Sequence, residues 1–137
     1  MQKKCSRIIL DTNLWISFLI TKDFRKLDEI IFSKHAILVF SQELVEEFLE
    51  VARRPKFRRF FSPADIEQLL ETIDYYADFV KVHTQIEVCR DTKDNFLLSL
   101  SLDGNADFLL TGDKDLLDLT KFGGTAIVTI SEFLHDK

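Results

Sequence analysis

Two short runs of consecutive apolar residues limit most strongly what this chain can fold into. They are Ile8-Ile9-Leu10 and Ile37-Leu38-Val39-Phe40, and each leads into a segment whose apolar residues recur at helical spacing. A strand that is apolar at every position, rather than at alternate positions, suits a parallel sheet with both faces covered. Shorter candidate strands follow at 79–82, 107–110 and 126–128. Strands alternating with helices predict an α/β fold, a three-layer α/β/α sandwich around a central parallel sheet of about five strands.

Helix signals between these runs complete the predicted order of elements. The expected helices cover 14–20, 23–34, 42–54, 63–77 and 93–102, with a short helix ending at 117 and a last turn at 131–135. Ser41 is a suitable N-cap, Pro55 stops the helix that Ser41 begins, and Pro63 suits the first position of the next helix. No linker or repeat divides the 137 residues, whose 46% hydrophobic content suits one core. We therefore predict a single domain over residues 1–137.

Composition argues against several classes of protein. No apolar run approaches the roughly 20 residues that a membrane-spanning helix needs, and residues 1–7 are too short and too polar for a secretory leader. Cys5 and Cys89 lack a C-x-x-C spacing and a nearby histidine pair, which argues against a disulfide framework or a zinc site. We expect two free thiols, with Cys89 partly buried, in a cytoplasmic protein that has no membrane partner.

Acidic side chains are predicted to gather at one edge of the sheet. Asp11 directly follows the first strand, and Asp113 stands three residues past the fourth. Because sites in an open parallel sheet form beyond the carboxyl ends of its strands, both should lie in the same crevice. On the helix after the second strand, an advance of about 100° per residue puts Glu47 beside the apolar face. The same helix turns three other glutamates towards water: Glu43, Glu46 and Glu50.

Asp94 is a further candidate because it shares a helix face with Leu97, Leu98 and Ser101. A buried carboxylate needs a partner or a cation, since burying it alone is too costly. Several carboxylates in one crevice repel each other unless a positive charge occupies the centre. Oxygen-only ligands favour Mg²⁺ or Mn²⁺, and such ions activate water and stabilise a leaving phosphate oxygen without a histidine base. The three histidines of the chain lie outside the acidic turns, which agrees with this chemistry.

Four motifs occur in order along the chain. They are Asp11-Thr12-Asn13 after the first strand, Ser41-Gln42-Glu43-Leu44 leading to Glu47, Asp91-Thr92-Lys93-Asp94 opening an apolar helix, and Thr111-Gly112-Asp113-Lys114-Asp115-Leu116-Leu117 after a strand. Together they resemble the PIN-domain family, and most closely its toxin-component-like, VapC-type branch, over essentially the whole chain. The resemblance implies a Mg²⁺- or Mn²⁺-dependent endoribonuclease that cuts single-stranded RNA to leave a 5′-phosphate. It also implies the toxin role of a bacterial toxin–antitoxin pair, with an antitoxin protein as partner, and a homodimer.

The resemblance assigns roles position by position. The four main acids of the family, as metal ligands and catalytic residues, correspond to Asp11, Glu47, Asp94 and Asp113. Supporting positions correspond to Asn13, Asp91, Thr111 and Asp115. Simpler interpretations exist for each residue: the three aspartates 11, 91 and 113 fit helix N-caps, Glu47 fits an ordinary flank position, and Thr111 fits a residue that satisfies the turn backbone.

The net charge of −5 argues at first against an RNA partner, because phosphate binding normally leaves a basic footprint. Divalent cations held by several carboxylates reverse the local field, so the argument is weak. A basic cluster begins about two turns beyond Glu47 and consists of Arg53, Arg54, Lys56, Arg58 and Arg59. Three interpretations of this cluster remain open: a path for RNA with Phe57 or Phe60 stacking on bases, a contact for an antitoxin segment, and a charged helix end in solvent.

Two other functions remain open. A PIN-like domain with an RNA-binding or regulatory role and little or no catalysis would retain RNA without turnover. A phosphoaspartyl enzyme or receiver would use Asp11 as a nucleophile, since an Asp at a strand end can be phosphorylated. Asn13 stands where dehalogenase-like phosphatases carry a second acid, which disfavours this last function.

Overall fold

A six-stranded sheet forms the centre of the computed structural model, which describes residues 5–135. The strands are β1 Arg7–Leu10, β2 Ile37–Phe40, β3 Ala77–Phe79, β4 Phe108–Leu110, β5 Lys121–Phe122 and β6 Thr125–Val128. Their order across the sheet is β3-β2-β1-β4-β6-β5. All neighbouring strands are parallel except β5 and β6, which are antiparallel. The predicted α/β fold with a mostly parallel sheet is confirmed.

Helices flank the sheet and connect its strands. They are α1 Thr12–Thr21, α2 Arg25–Asp28 with a π-helical turn Glu29–Ser33, α3 Gln42–Ala52, a 3₁₀ turn Pro55–Phe57, α4 Pro63–Tyr76, α5 Thr92–Asp103, α6 Lys114–Leu117 and α7 Ile130–His135. Ser41 caps α3 by accepting from the backbone N–H of Leu44 at 3.1 Å, and Pro63 begins α4, as predicted. Within residues 5–135, no helix is both long enough and apolar enough to cross a membrane.

The central strands are buried on both of their faces. Ile8, Ile9 and Leu10 on β1, and Leu109 and Leu110 on β4, are at most 1% exposed. Successive side chains of a strand point to opposite faces, so burial at every position requires cover on both sides of the sheet. The continuous apolar runs are therefore explained by their central place in a sheet between two helical layers.

The edges of the sheet differ from the prediction. The third strand lies at Ala77–Phe79 rather than 79–82, because the backbone becomes extended at Ala77 directly after α4. The strand β5 was not predicted, and it brings the sheet to six strands where about five were expected. It forms a hairpin with β6 through Gly123 and Gly124, and Gly123 has a φ of +58°, which a glycine adopts without strain. A strand of two residues has no apolar periodicity, so only the glycine pair signalled the hairpin.

The strand order reverses at β1, and this reversal positions the site. After β1 the chain builds β2 and β3 on one side, and it then returns to place β4 on the other side of β1. Helices leave two such neighbouring strands in different directions, which opens a crevice at their carboxyl ends. Asp11 follows β1 and Thr111-Gly112-Asp113 follows β4, so both acidic turns border this crevice.

The connection from β3 to α5 has no regular secondary structure, yet two side chains of α5 hold it. Asp103 accepts from the backbone N–H groups of residues 83 and 84 at 2.7 and 2.9 Å, and from Thr84 Oγ1 at 2.6 Å. Near the other end, Asn95 Oδ1 accepts from the backbone N–H groups of residues 88 and 89 at 3.0 and 2.7 Å. Both parts of the connection are therefore fixed to the helix that carries Asp94.

The hydrogen bonds that the Asp103 carboxylate accepts lead to a prediction about the stability of the fold in acid. Hydrogen bonds from Thr84 and from the backbone lower the pKa of Asp103 from 3.8 to about 2. A carboxyl whose pKa is lowered on folding stabilises the fold above its unfolded pKa, and this effect is lost as the pH falls through its folded pKa. We therefore expect Asp103→Asn to lower the urea midpoint of unfolding near neutral pH, and the difference from wild type to shrink between about pH 4 and pH 2.

The control for this prediction is Asp74→Asn, which changes an exposed acid on α4. We expect its urea midpoint to follow that of wild type at every pH. A difference in urea midpoint between Asp103→Asn and wild type that stays the same down to about pH 2 would mean that the ionised Asp103 carboxylate does not stabilise the fold.

Candidate metal centre

The turns after β1 and β4 are joined by hydrogen bonds. The backbone N–H of Asp11 donates to the carbonyl oxygen of Leu110 at 3.0 Å. Thr111 is 1% exposed, and its Oγ1 donates to Asp11 Oδ2 at 2.8 Å while accepting from the backbone N–H of Asp113 at 3.0 Å. One hydroxyl thus fixes the carboxylate that follows β1 and the turn that follows β4. Thr111 therefore satisfies the turn backbone and also contacts Asp11, while its supporting role at a metal site stays a prediction.

Three of the predicted aspartates cap helices. Asp11, Asp91 and Asp113 each use Oδ1 to accept a backbone N–H two residues further on, at 3.3, 2.9 and 2.8 Å. These contacts are the N-caps of α1, α5 and α6. A carboxylate has a second oxygen, so capping leaves one Oδ2 on each residue for other contacts. Capping and metal binding are therefore compatible at these positions.

A tight group of carboxylates lies between α5 and α6. Asp94, Asp113 and Asp115 each offer one oxygen, and these three oxygens lie within 4.8 Å of one another. Asp94 is 4% exposed, and its buried Oδ2 has no hydrogen-bond partner among residues 5–135. The backbone N–H of Asp115 donates to Asp113 Oδ1, which holds the short α6 turn in place. The burial predicted for Asp94 from its helix face is confirmed. Asp115, which was predicted only as a supporting residue, is one of the three members of this tight group.

Glu47 approaches the same cleft from α3. Its side chain is 22% exposed, whereas Glu43, Glu46 and Glu50 are exposed, as the helical angles predicted. A cleft of about 170 Å³ is bordered by Glu47, Asp11, Asp94 and Asp113, together with Asn13 and Asp91. The structure therefore brings the four main acids to one cleft, although Asp11 and Glu47 stand outside the tight group of Asp94, Asp113 and Asp115.

Burial and mutual repulsion shift the pKa values of these acids upwards. Burial, followed by hydrogen bonding to Asp113 and its charge, raises the pKa of Asp94 to about 7. Burial also raises the pKa of Asp11, against the opposing hydrogen bond from Thr111. It raises the pKa of Glu47 as well, against the opposing charge of Lys93. Burial is the largest cause of all three shifts, and the charges of neighbouring acids add to it, as expected where carboxylates converge in a partly enclosed cleft.

The donor set fits a hard divalent cation. Every candidate ligand is a carboxylate oxygen, the donor type that Mg²⁺ and Mn²⁺ prefer, and nearly every buried polar atom of a folded protein has a partner. Asp94 Oδ2 has no hydrogen-bond partner and lies beside Asp113 and Asp115. A cation at this point would bind the unpaired oxygen and reduce the repulsion between the three carboxylates. The arrangement therefore has the chemistry of a divalent metal centre.

The basic cluster after α3 divides into separate parts. Arg54 borders the acidic cleft, whereas Arg53 and Arg58 border a different cleft with Phe61 and Glu67. Lys56 lies 5.2 Å from the ring centre of Phe57, and Arg59 lies 5.0 Å from that of Phe60. The helix α3 ends at Ala52 and a 3₁₀ turn follows at Pro55–Phe57, so the cluster spans two segments of different backbone geometry. Of these five cations only Arg54 borders the acidic cleft, and the RNA-binding role predicted for the cluster stays a prediction.

Two further cations at the centre were not predicted as site residues. Lys93 borders the acidic cleft, and its Nζ lies 3.7 Å from Glu47 Oε2. Arg90 pairs with Asp115 at 3.2 Å. Lys93 stands inside the motif that supplies Asp91 and Asp94, so its position between two acids was a usable signal. Arg90 gave no such signal, because its contact depends on how residues 80–91 fold back towards α6.

A mostly parallel sheet with an acidic centre at the carboxyl ends of β1 and β4 defines an α/β protein with a candidate divalent-metal centre. A family model for the PIN domain matches residues 7–115. The chain belongs to the PIN domain family, whose members are generally nucleases that use divalent metals. The uncharacterized protein MJ1680 of Methanocaldococcus jannaschii is similar, with 28% identity over 122 residues, which cover 87% of this chain and 78% of that protein.

Proposed function

We propose that this protein is a Mg²⁺- or Mn²⁺-dependent endoribonuclease that hydrolyses phosphodiester bonds in single-stranded RNA. One observation carries the proposal: Asp94 is buried with an unpaired carboxylate oxygen beside Asp113 and Asp115, at the point where the strand order reverses. Burying a carboxylate without a partner costs free energy that a bound cation would offset. A carboxylate buried in this way beside other acids therefore indicates a functional site. Membership of a family of nucleases supplies the class of reaction.

The proposed ligands are Asp11, Glu47, Asp94 and Asp113, with Asp115 as an additional member of the tight group. A divalent ion bound there supplies an activated water and neutralises the charge that develops on the phosphate. Thr111 holds the Asp11 carboxylate in position, and the backbone N–H of Asp115 does the same for Asp113. Fixed carboxylates of this kind do not need to reorganise during the reaction.

Cations beside the acidic cleft support an RNA substrate. Arg54 and Lys93 border the cleft, and a phosphate that enters it would lie near both charges. Phe60 is 38% exposed next to Arg59, so its ring is accessible for stacking on an unpaired base. Stacking of this type requires a base that is not in a duplex, which agrees with the single-stranded substrate.

The biological role that we propose is that of a toxin in a toxin–antitoxin pair, with cleavage leaving a 5′-phosphate. Support comes from the four motifs and their order. An antitoxin partner, a homodimer and a cytoplasmic location belong to the same proposal. Expression in a bacterial host with and without a small neighbouring reading frame tests it: growth arrest that this frame relieves is expected, and unimpaired growth with active enzyme present would contradict the toxin role.

Cleavage of RNA with and without metal tests the enzymatic function. Purified full-length protein is treated with EDTA, and Mg²⁺, Mn²⁺ or buffer is added back before incubation with a labelled single-stranded RNA. We expect cleavage only where metal is restored. Activity that persists in EDTA would reject the metal mechanism, and RNA that is bound but never cut would favour the RNA-binding alternative.

A further inference from the structure

Lys93 places a positive charge inside the acidic cleft. It lies in the first turn of α5, where its backbone N–H donates to Asp91 Oδ1 at 2.9 Å. Its Nζ lies 3.7 Å from Glu47 Oε2, and the side chains of Lys93 and Glu47 are 52% and 22% exposed. The backbone of Lys93 is therefore fixed by the cap of α5, while its ammonium group remains partly in solvent.

The partner of Lys93 is a candidate metal ligand. The charge of Lys93 opposes the effect of burial on Glu47, so this pair stabilises the Glu47 carboxylate when no metal is bound. A divalent cation that uses an oxygen of Glu47 would take the same partner and repel the ammonium group. Lysine has a flexible four-carbon stem, so its ammonium group can move while its backbone stays in place.

Arg54 provides an informative contrast on the same cleft. Its guanidinium pairs with Glu50 at 3.3 Å, and Glu50 is an exposed residue on the solvent side of α3. Glu50 does not border the cleft and is not a candidate ligand, so metal binding would leave this ion pair intact. Of the two cations that border this cleft, Lys93 pairs with a proposed ligand and Arg54 does not. Arg90 also pairs with a member of the tight group, Asp115, but it does not border the cleft.

We propose that Lys93 is a substrate-positioning residue that exchanges partners: it pairs with Glu47 in the metal-free protein and with a phosphate of the RNA in the metal-loaded protein. This inference rests on the proposed ribonuclease function. The exchange couples the two ligands, since metal binding releases the cation that the RNA backbone then uses. A lysine that only stabilised Glu47 or the start of α5 would have no such effect on RNA.

The exchange predicts effects of opposite sign for Lys93→Met. Without the ammonium charge the metal has no competitor for Glu47, so Mn²⁺ should bind about threefold more tightly. The loss of one phosphate contact should weaken RNA binding in Mn²⁺ by about three- to tenfold and reduce the slope of log K against log salt by about 0.7. In steady-state cleavage the KM should rise while kcat changes less. Lys93→Arg keeps the charge and should restore both affinities most of the way.

The experiment compares these affinities in matched variants. Mn²⁺ affinity is measured by calorimetry on wild type, Lys93→Met, Lys93→Arg and Arg54→Met. RNA affinity is measured by fluorescence anisotropy of a labelled single-stranded RNA, with each change also made in an Asp11→Asn background that suppresses cleavage and leaves Glu47 in place. Arg54→Met should weaken RNA binding but not alter Mn²⁺ affinity, and Lys121→Met, on the edge strand β5, should alter neither. Circular dichroism and thermal unfolding show that each variant is folded.

The outcomes separate this inference from the function on which it rests. Tighter Mn²⁺ binding together with weaker RNA binding in Lys93→Met supports the exchange. Unchanged or weaker Mn²⁺ binding, or an unchanged RNA affinity and salt slope, overturns it even if the wild type cleaves RNA normally. Absence of metal-dependent RNA cleavage by the wild type would instead reject the proposed function.

Discussion

Asp11→Asn should reduce the rate of RNA cleavage by at least about 100-fold while leaving the fold intact, the order of effect expected when one group that stabilises developing charge is lost. Asparagine keeps the size of the side chain and one acceptor oxygen, but it removes the negative charge beside Asp113. It retains one of the two contacts that Asp11 makes with Asn13 and Thr111, so stability should fall only slightly. Cleavage of a labelled RNA in Mn²⁺ measures the effect.

A matched control separates a loss of chemistry from a general loss of negative charge. Asp118→Asn changes an exposed acid just past α6 that pairs with Lys114 at 3.1 Å and does not border the acidic cleft. We expect this variant to cleave RNA at the wild-type rate. If Asp11→Asn also cleaved at that rate and had the thermal stability of wild type, Asp11 would not take part in catalysis.

Metal should stabilise the wild type strongly and Asp94→Asn hardly at all. A ligand at about 100 times its Kd adds about 2.7 kcal/mol to the free energy of unfolding, which for a chain of this size raises Tm by about 10 °C. Asp94 contributes the unpaired oxygen at the centre, so its loss should remove most of this shift. In EDTA we expect Asp94→Asn to have the same Tm as wild type or a higher one. The reason is that asparagine removes a buried negative charge that repels Asp113.

Thermal unfolding with and without Mn²⁺ measures both parts of this prediction. Asp118→Asn again serves as the control and should show the full shift of the wild type. A shift in Asp94→Asn as large as that of the wild type would mean that Asp94 is not a ligand. A clearly lower Tm in EDTA would mean that the Asp94 carboxylate stabilises the metal-free fold through contacts other than a metal.

The sequence predicted the centre of the sheet better than its edges, for a physical reason. Strands β1 and β2 are buried on both faces, so every position had to be apolar and the runs were easy to recognise. At the edge, β5 has only two residues, and Phe122 alone gives it apolar character. Its pairing depends on the turn at Gly123 and Gly124, which acts over a few residues and leaves no periodic pattern.

The candidate site was predictable where one element decides the position of a side chain. Helical angle separated Glu47 from three other glutamates, and an apolar helix face marked Asp94 as buried. The contacts of Asp115 and Lys93 depend on how two elements approach each other, which the pattern of a single element does not contain. The arrangement of the basic cluster has a related cause, since the 3₁₀ turn after α3 was not predicted and the cations of the cluster border different clefts.

The hydrogen bond between Thr111 and Asp11 also has a consequence for the timing of activity during synthesis. Its two residues are 100 positions apart, so the first acid of the cleft leaves the ribosome long before the turn that orients it. Chains are made from the N-terminus, and a contact of this range forms only after the intervening segment has been translated. A nascent chain that ends before β4 lacks Thr111, Asp113 and Asp115 altogether. The part of the messenger RNA that encodes residues 1–115 must therefore be translated before the attached chain can assemble the acidic centre.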